Sequence, residues 1–337
     1  MQILEHGQEN TKTLLFLPCT AEPIWAFEGA VGLLREKWHV FQAVYDGHQP
    51  EYPGDFTSVE QTVSKITDYL KSRGYPRLDA AYGCSLGGAC LTRLLALGAI
   101  PIGRAIIDGG ITPYQLPLLT RKALLLRDIL SFRLVAGNRN ILEAAFPPER
   151  FTLPGHDPVK EYNAIAAYLK TYSGKTIRNI FWSGNNYSLP QTPAGIDTKI
   201  TYWYGDGEKK DRKSNIRFIK RYFPQARIHG IPKMAHAELV MIHPEEFIRY
   251  ADKFLEEGIP SGAGGGGAGA QSQTHYGNRP ERRVRQCQQI FRELQKTLRR
   301  YPPPSIGPGQ RKRQSSHKAS EAEKRRKGLS QNGKVPK

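Results

Sequence analysis

The run Tyr82-Gly83-Cys84-Ser85-Leu86-Gly87-Gly88 sets a serine between glycines two residues before and two residues after it. A short stretch of mixed apolar character, Leu78 to Tyr82, leads in, and a helix-forming stretch follows. A strand that turns sharply into a helix forces the residue at the turn into a strained backbone conformation, with its side chain held clear at the tip. The flanking positions must be tiny, because backbone approaches backbone there. The hydroxyl of Ser85 is thereby offered as a nucleophile. The amide of Leu86, at the start of the helix, is offered to a developing oxyanion.

A serine hydroxyl is a weak nucleophile until a base takes its proton, and that base is usually a histidine oriented by a carboxylate. His236 is the strongest candidate base. It lies in the loop Pro232-Lys233-Met234-Ala235-His236, just after the apolar run Arg227 to Ile231. His229 falls inside that run, His243 stands at a helix start where it would cap, and His39 enters a strand from the far end. His48, after Asp46-Gly47, reads first as a turn residue at the site's edge and second as a pocket residue. For the acid, the run Lys199 to Tyr204 leads into Gly205-Asp206-Gly207-Glu208-Lys209-Lys210-Asp211. Glu208 is preferred. Asp206 sits in a glycine-flanked turn, where aspartate often serves backbone bonding. Asp211 has entered a basic helical stretch, where a solvated role is the default. A second oxyanion donor is expected from Pro18-Cys19-Thr20. Proline has no N–H, so Cys19 or Thr20 must supply it. Cys19 as the nucleophile is the rival, and no helix or base can be set beside it as neatly.

These residues need a sheet whose strand ends share one edge. Apolar runs at Thr13–Leu17, Val40–Tyr45, Leu78–Cys84, Arg104–Asp108, Lys199–Tyr204 and Arg227–Ile231 alternate with helical patterns. Ser58 to Arg73 places Val59, Val63, Ile66 and Leu70 on one face, with Gly74 beyond. His243-Pro244-Glu245-Glu246 opens a last helix, with proline and acids suited to its first turn. Such alternation predicts an α/β fold, a mostly parallel sheet covered on both faces. The alternation breaks over 112–197. That stretch reads as a helical cap inserted into a core of 1–111 and 198–258, with helices at Leu116–Val135 and Pro158–Tyr172 and loops rich in aromatics around Phe181, Trp182 and Tyr187. Tyr114, Phe132, Trp182 and Tyr187 would line an acyl pocket or, more conservatively, pack a core.

The chain has 337 residues, 39% of them hydrophobic, and a net charge of +18. That charge is uneven. Residues 261–337 hold 18 basic and 4 acidic side chains, leaving 31 and 27 on the first 260. An electrostatic case for nucleic acid or an anionic surface as partner therefore rests on the tail alone. The tail divides into a Gly-rich linker (259–281), one possible basic amphipathic helix (282–300) and a disordered basic stretch (301–337). Within the helix, Val284, Cys287, Phe291, Leu294 and Leu298 recur at steps of three and four. Four cysteines show no paired or metal-type spacing, and no apolar stretch is long enough to span a bilayer. The first ten residues lack the basic-then-apolar pattern of a signal peptide. The chain reads as cytoplasmic, with free thiols and with no cofactor or metal required.

With Ser85, a downstream acid and His236 in that chain order, the body resembles the α/β-hydrolase superfamily, and small bacterial serine hydrolases in particular. The resemblance covers about residues 1–258. It rests on Gly83–Gly88, on Gly205–Glu208, and on Met234-Ala235-His236 followed by His243-Pro244-Glu245-Glu246-Phe247. It implies a nucleophile elbow at Ser85 and hydrolysis of a small ester or thioester through an acyl-enzyme. Acyl transfer, peptide cleavage and C–C cleavage on the same triad are alternatives, as is a non-catalytic hydrolase-like scaffold carrying a binding tail. Ala235 replaces the more usual glycine, and Pro18-Cys19 replaces the more usual His-Gly. Serine at the elbow separates the chain from haloalkane dehalogenases and epoxide hydrolases, which resemble this fold but use aspartate there.

Overall fold

A computed structural model describes residues 1–256 except 115, 195 and 196. The linker, amphipathic helix and tail expected over 259–337 lie outside the described residues. Among the described residues, seven strands form one sheet: β1 (Gln2–His6), β2 (Thr13–Leu17), β3 (His39–Val44), β4 (Leu78–Cys84), β5 (Ile102–Asp108), β6 (Lys199–Gly205) and β7 (Arg227–Ile231). Their spatial order is β1-β3-β2-β4-β5-β6-β7. Only β1 runs antiparallel, against β3. It has no apolar run of its own, and sequence reading passes over it.

β2 shows why the sheet is buried on both faces. Leu14 and Phe16 point into one apolar layer, and Leu15 and Leu17 into the other, as a two-residue period requires. The first layer is closed by α1 (Glu28–Leu34), α10 (Glu238–Ile242) and α11 (Pro244–Leu255). The second is closed by α2 (Val59–Ser72), α3 (Leu86–Leu97) and α9 (Lys209–Tyr222). Each fully buried Leu or Phe of this kind contributes roughly 1.5–3 kcal/mol. α2 begins at the expected serine, whose Ser58 hydroxyl accepts the Gln61 N–H at 3.1 Å. His243 occupies the N-cap position of α11 but its side chain makes no capping bond. Pro244 and the acidic pair fill the first turn as expected.

Between β5 and β6 the chain makes five helices: α4 (Leu118–Gly137), α5 (Arg139–Ala145), α6 (Pro148–Phe151), α7 (Pro158–Leu169) and α8 (Gly174–Asn186). α8 corrects the expectation of aromatic loops. Phe181 and Trp182 are helical, in a run that begins where Ser173 accepts the Thr176 N–H. Its glycines, serine and asparagines disguised a face of Thr176, Ile177, Ile180 and Ser183 that is buried. Tyr187 is a core residue, 2% exposed, and donates to the Ile111 carbonyl. Phe132 packs against Tyr172 and Phe181. No helix among the described residues is long and apolar enough to cross a membrane.

Candidate active site

The chain leaves β2 for β3 on one side and returns to β4 on the other. The strand order therefore reverses between β2 and β4, and the carboxyl ends of these strands border the crevice where open α/β sheets take ligands. Pro18-Cys19-Thr20 follows β2 and Ser85 follows β4.

Ser85 has φ +54° and ψ −109°, a conformation a residue with a Cβ holds only when its surroundings dictate it. Here they do. Its N–H donates to the Asp108 carbonyl at 2.9 Å, and its own carbonyl accepts from Ala89 at 3.0 Å and Ile111 at 3.2 Å. The glycines do the work expected of them. A Cβ on Gly83 would lie 2.6 Å from the Gly87 carbonyl oxygen, and one on Gly87 only 2.1 Å from that of Leu17. The first turn of α3 thus lies directly against the loop after β2. The Leu86 N–H has no backbone acceptor among the described residues.

Of the three carboxylates considered for the acid, the fold brings one to the histidine. Glu208 Oε2 lies 2.8 Å from His236 Nδ1. Asp206 and Asp211 are exposed. The single-turn helix Asp206–Glu208 turns Glu208 inward, where Oε1 accepts the Gly205 N–H at 3.3 Å. Arg212, one turn further on in α9, donates from Nε to Glu208 Oε2 at 2.5 Å, and its Nη2 comes within 3.1 Å of His236 Nδ1. Nδ1 can satisfy only one of these neighbours. A charge-assisted bond to the carboxylate is the stronger, and Arg212 already has its acceptor. Nδ1 therefore carries the proton, and Nε2 keeps a lone pair. Burial alone would raise the Glu208 pKa, but the charges and hydrogen bonds of His236 and Arg212 overcome it and hold the carboxyl down at about 2.

The serine and the histidine each border the turn that follows β5. Ser85 is hydrogen-bonded to Asp108, and a Cβ on Gly109 (φ +53°) would lie 2.7 Å from the His236 ring and 3.0 Å from Glu208 Oε1. Among the described residues the Ser85 hydroxyl, 8% exposed as a residue, makes no hydrogen bond. The histidine loop is stiff. Gly207 N–H donates to the Met234 carbonyl at 3.0 Å, Ala235 N–H to Glu238 Oε2 at 2.6 Å, and Arg150 of α6 to Glu238 and the Lys233 carbonyl. Glu238 and Arg150 were not visible in the sequence as parts of this site.

The loop after β2 is held from both sides. Tyr45 donates to the Pro18 carbonyl at 2.9 Å. His48 Nδ1 lies 3.1 Å from the Asp46 carbonyl, which can only accept, so Nε2 is bare and takes the Thr20 hydroxyl at 2.8 Å. Burial lowers the His48 pKa to about 4, in keeping with a neutral ring. From the helical segment, Tyr172 accepts the Ala21 N–H at 3.3 Å, and Tyr168 donates to the Glu22 carbonyl at 2.9 Å. His48 is thus both a turn residue, its N–H donating to the Tyr45 carbonyl at 3.2 Å, and a buried brace for the loop. The neighbouring Cys84 thiol acts to lower the Cys19 pKa, but burial with Glu22 and Asp108 more than offsets it, and the shift is upward. A buried thiol with a raised pKa is a poor nucleophile, which weighs against Cys19 as the rival to Ser85.

Asp108, at the end of β5, is a second buried carboxyl beside the pair and accepts from Tyr82 Oη at 2.7 Å. Burial is the main cause that pushes its pKa up to about 6, and Glu208 adds to it, against Tyr82, His236 and Arg212. Its folded-state value lies above its unfolded one. Its ionisation therefore leaves stability untouched at low pH and costs stability as pH rises from 4 through 6. Asp108→Asn is expected to be neutral near pH 4 and stabilising by about 2–3 kcal/mol above pH 6.5. Denaturant melts at the two pH values check this, and an equal change at both would refute the assignment. No group of three or more metal-ligating side chains occurs among the described residues.

No family model and no curated sequence matches the chain. Solved structures do. An α/β-hydrolase family protein of Desulfitobacterium hafniense is similar at TM-score 0.59 and 14% identity over 75% of this chain and 100% of that one. The enol-lactonase of Burkholderia xenovorans is similar at TM-score 0.56 and 15% identity, covering 76% and 96%. MenH of S. aureus is similar at TM-score 0.53 and 17% identity, covering 76% and 97%. Strand order, elbow and neighbours agree: the chain has the α/β-hydrolase fold.

Proposed function

We propose that the chain is a serine hydrolase that cleaves a small carboxylic ester or thioester through an acyl-enzyme. The observation that carries this reading is the Glu208–His236 pair at 2.8 Å beside Gly109, with the N–H of a strained Ser85 bonded to the carbonyl of Asp108, the residue before that glycine. Carboxylesterases and an enol-lactonase among the structural neighbours support the class. Ser85 Oγ attacks the acyl carbon while His236 Nε2 accepts the hydroxyl proton. Glu208 stabilises the imidazolium. The N–H of Leu86, with that of Cys19 or Thr20, holds the oxyanion. The tetrahedral adduct collapses, the leaving alkoxide or thiolate takes the proton from His236, and the acyl group stays on Ser85. Water then attacks, His236 accepts its proton and returns it to Ser85, and a carboxylic acid departs. The five helices between β5 and β6 serve in this reading as a cap, with Tyr168 and Tyr172 fixing the oxyanion loop.

A fluorophosphonate probe is expected to label the wild type at Ser85 and to leave Ser85→Ala unlabelled. Equal labelling of that variant would overturn the nucleophile.

A further inference from the structure

α4 is anomalous for a helix of a folded domain. Of its 20 residues only Ala136 is buried. It carries five of the eight exposed large apolar side chains among the described residues, with Leu119 81% exposed, Leu126 60% and Leu130 52%. Leu119, Ala123, Leu126, Leu130 and Leu134 follow at steps of four, three, four and four. At 100° per residue these five fall on one outward face, a stripe about 22 Å long. The same geometry sets Lys122 and Arg133 along one margin of the stripe and Arg127 along the other. The helix has one acid, Asp128, which is paired with Arg127. α4 packs against α5, α7 and α8 through its other face.

An apolar band of this size on a soluble surface marks an interaction site, and the charges select its partner. A second copy set on the same band would bring cations against cations. A protein groove would be expected to meet aromatic or hydrogen-bonding anchors, and this face presents only leucine, alanine and basic side chains. Leucines that sink while flanking Lys and Arg reach outward to anionic groups describe a helix lying in a lipid interface. We propose that the α4 face docks the cap segment on an anionic lipid layer, the leucine stripe entering the headgroup–acyl boundary and the exposed Lys122 and Arg133 meeting lipid phosphates. This surface is independent of the chemistry assigned to Ser85.

The test uses the full chain with Cys287→Ser and Ala123→Cys, so that a nitrobenzoxadiazole label reports from the stripe itself. With vesicles of equal phosphatidylglycerol and phosphatidylcholine, the label is expected to brighten, shift to the blue and resist an aqueous quencher. Pure phosphatidylcholine is expected to bind at least tenfold more weakly. In the unlabelled full chain, Leu126→Ser with Leu130→Ser is expected to weaken binding at least tenfold. Both positions are more than half exposed, so melting should not change. Vesicle binding with the label still open to the quencher would place the contact elsewhere, on the basic C-terminal segment, and would overturn the proposal. So would a double variant that binds as the wild type does. A double variant that merely turns a dimer into a monomer, with vesicle binding unchanged, would reassign the stripe to a second copy.

Discussion

His236→Ala is expected to lower kcat/KM for an activated ester by roughly a thousandfold or more, and Glu208→Gln by a similar or smaller factor. The double variant should be no worse than His236→Ala alone. In the proposed mechanism Glu208 acts only through the ring. It orients Nδ1 and stabilises the charged imidazole, so without the imidazole its carboxylate has nothing to do. Independent contributions would multiply, and a double variant that falls by the product of the two single factors would refute the arrangement. The geometry makes Glu208→Gln informative. Gln keeps the size of the side chain, and its amide can turn a donor N–H toward Nδ1, favouring the tautomer that closes Nε2 to the serine proton. It also loses the charge that balances Arg212, leaving a buried guanidinium beside the imidazole and opposing its protonation in the transition state. Arg212→Gln separates the two effects. It leaves the carboxylate in place and removes the competing cation, so activity loss in this variant should be much smaller than in Glu208→Gln.

The members of the candidate site were legible in the sequence because each stands at a strand's carboxyl end, where a motif or a turn marks it. Ser85 is announced by glycines whose absence of a Cβ is sterically required. Glu208 and His236 follow apolar runs that the fold makes adjacent, β6 and β7. What sits around them was hidden. Arg212 belongs to a run of lysine, aspartate and arginine that reads as a solvated helix face, and only the turn of α9 brings it to Glu208, four residues before it. Asp108 ends a strand like any other turn residue, and nothing local says that Tyr82 will bind it. Glu238 and Arg150 reach the histidine loop from 88 residues apart. β1 escaped because an edge strand that is half-buried along its length needs no apolar alternation. α8 escaped because glycine and asparagine weigh against a helix locally, while its packing against α3 and α4 decides otherwise.

Gly87→Ala should show how tightly the elbow and the oxyanion loop are built together. The new methyl would lie 2.1 Å from the Leu17 carbonyl oxygen and 2.7 Å from that of Pro18, both backbone atoms with no rotamer to escape into. Either α3 or the loop must move. Overpacking of this kind costs about 1–3 kcal/mol, a fall in Tm of roughly 2–12 °C for a domain of this size. The loop that moves carries Cys19 and Thr20, so activity should drop by a further ~10²–10³-fold, as when one oxyanion donor is lost. Gly32→Ala supplies the opposite sign. Gly32 lies inside α1 with nothing within 4 Å of the added Cβ, and alanine there should stabilise by about 0.5–1 kcal/mol with activity unchanged. Equal melting temperatures for the two variants would mean that Gly87 does not touch the strand β2 loop as described. A Gly87→Ala protein that melts lower but hydrolyses esters at the wild-type rate would separate that contact from the oxyanion site.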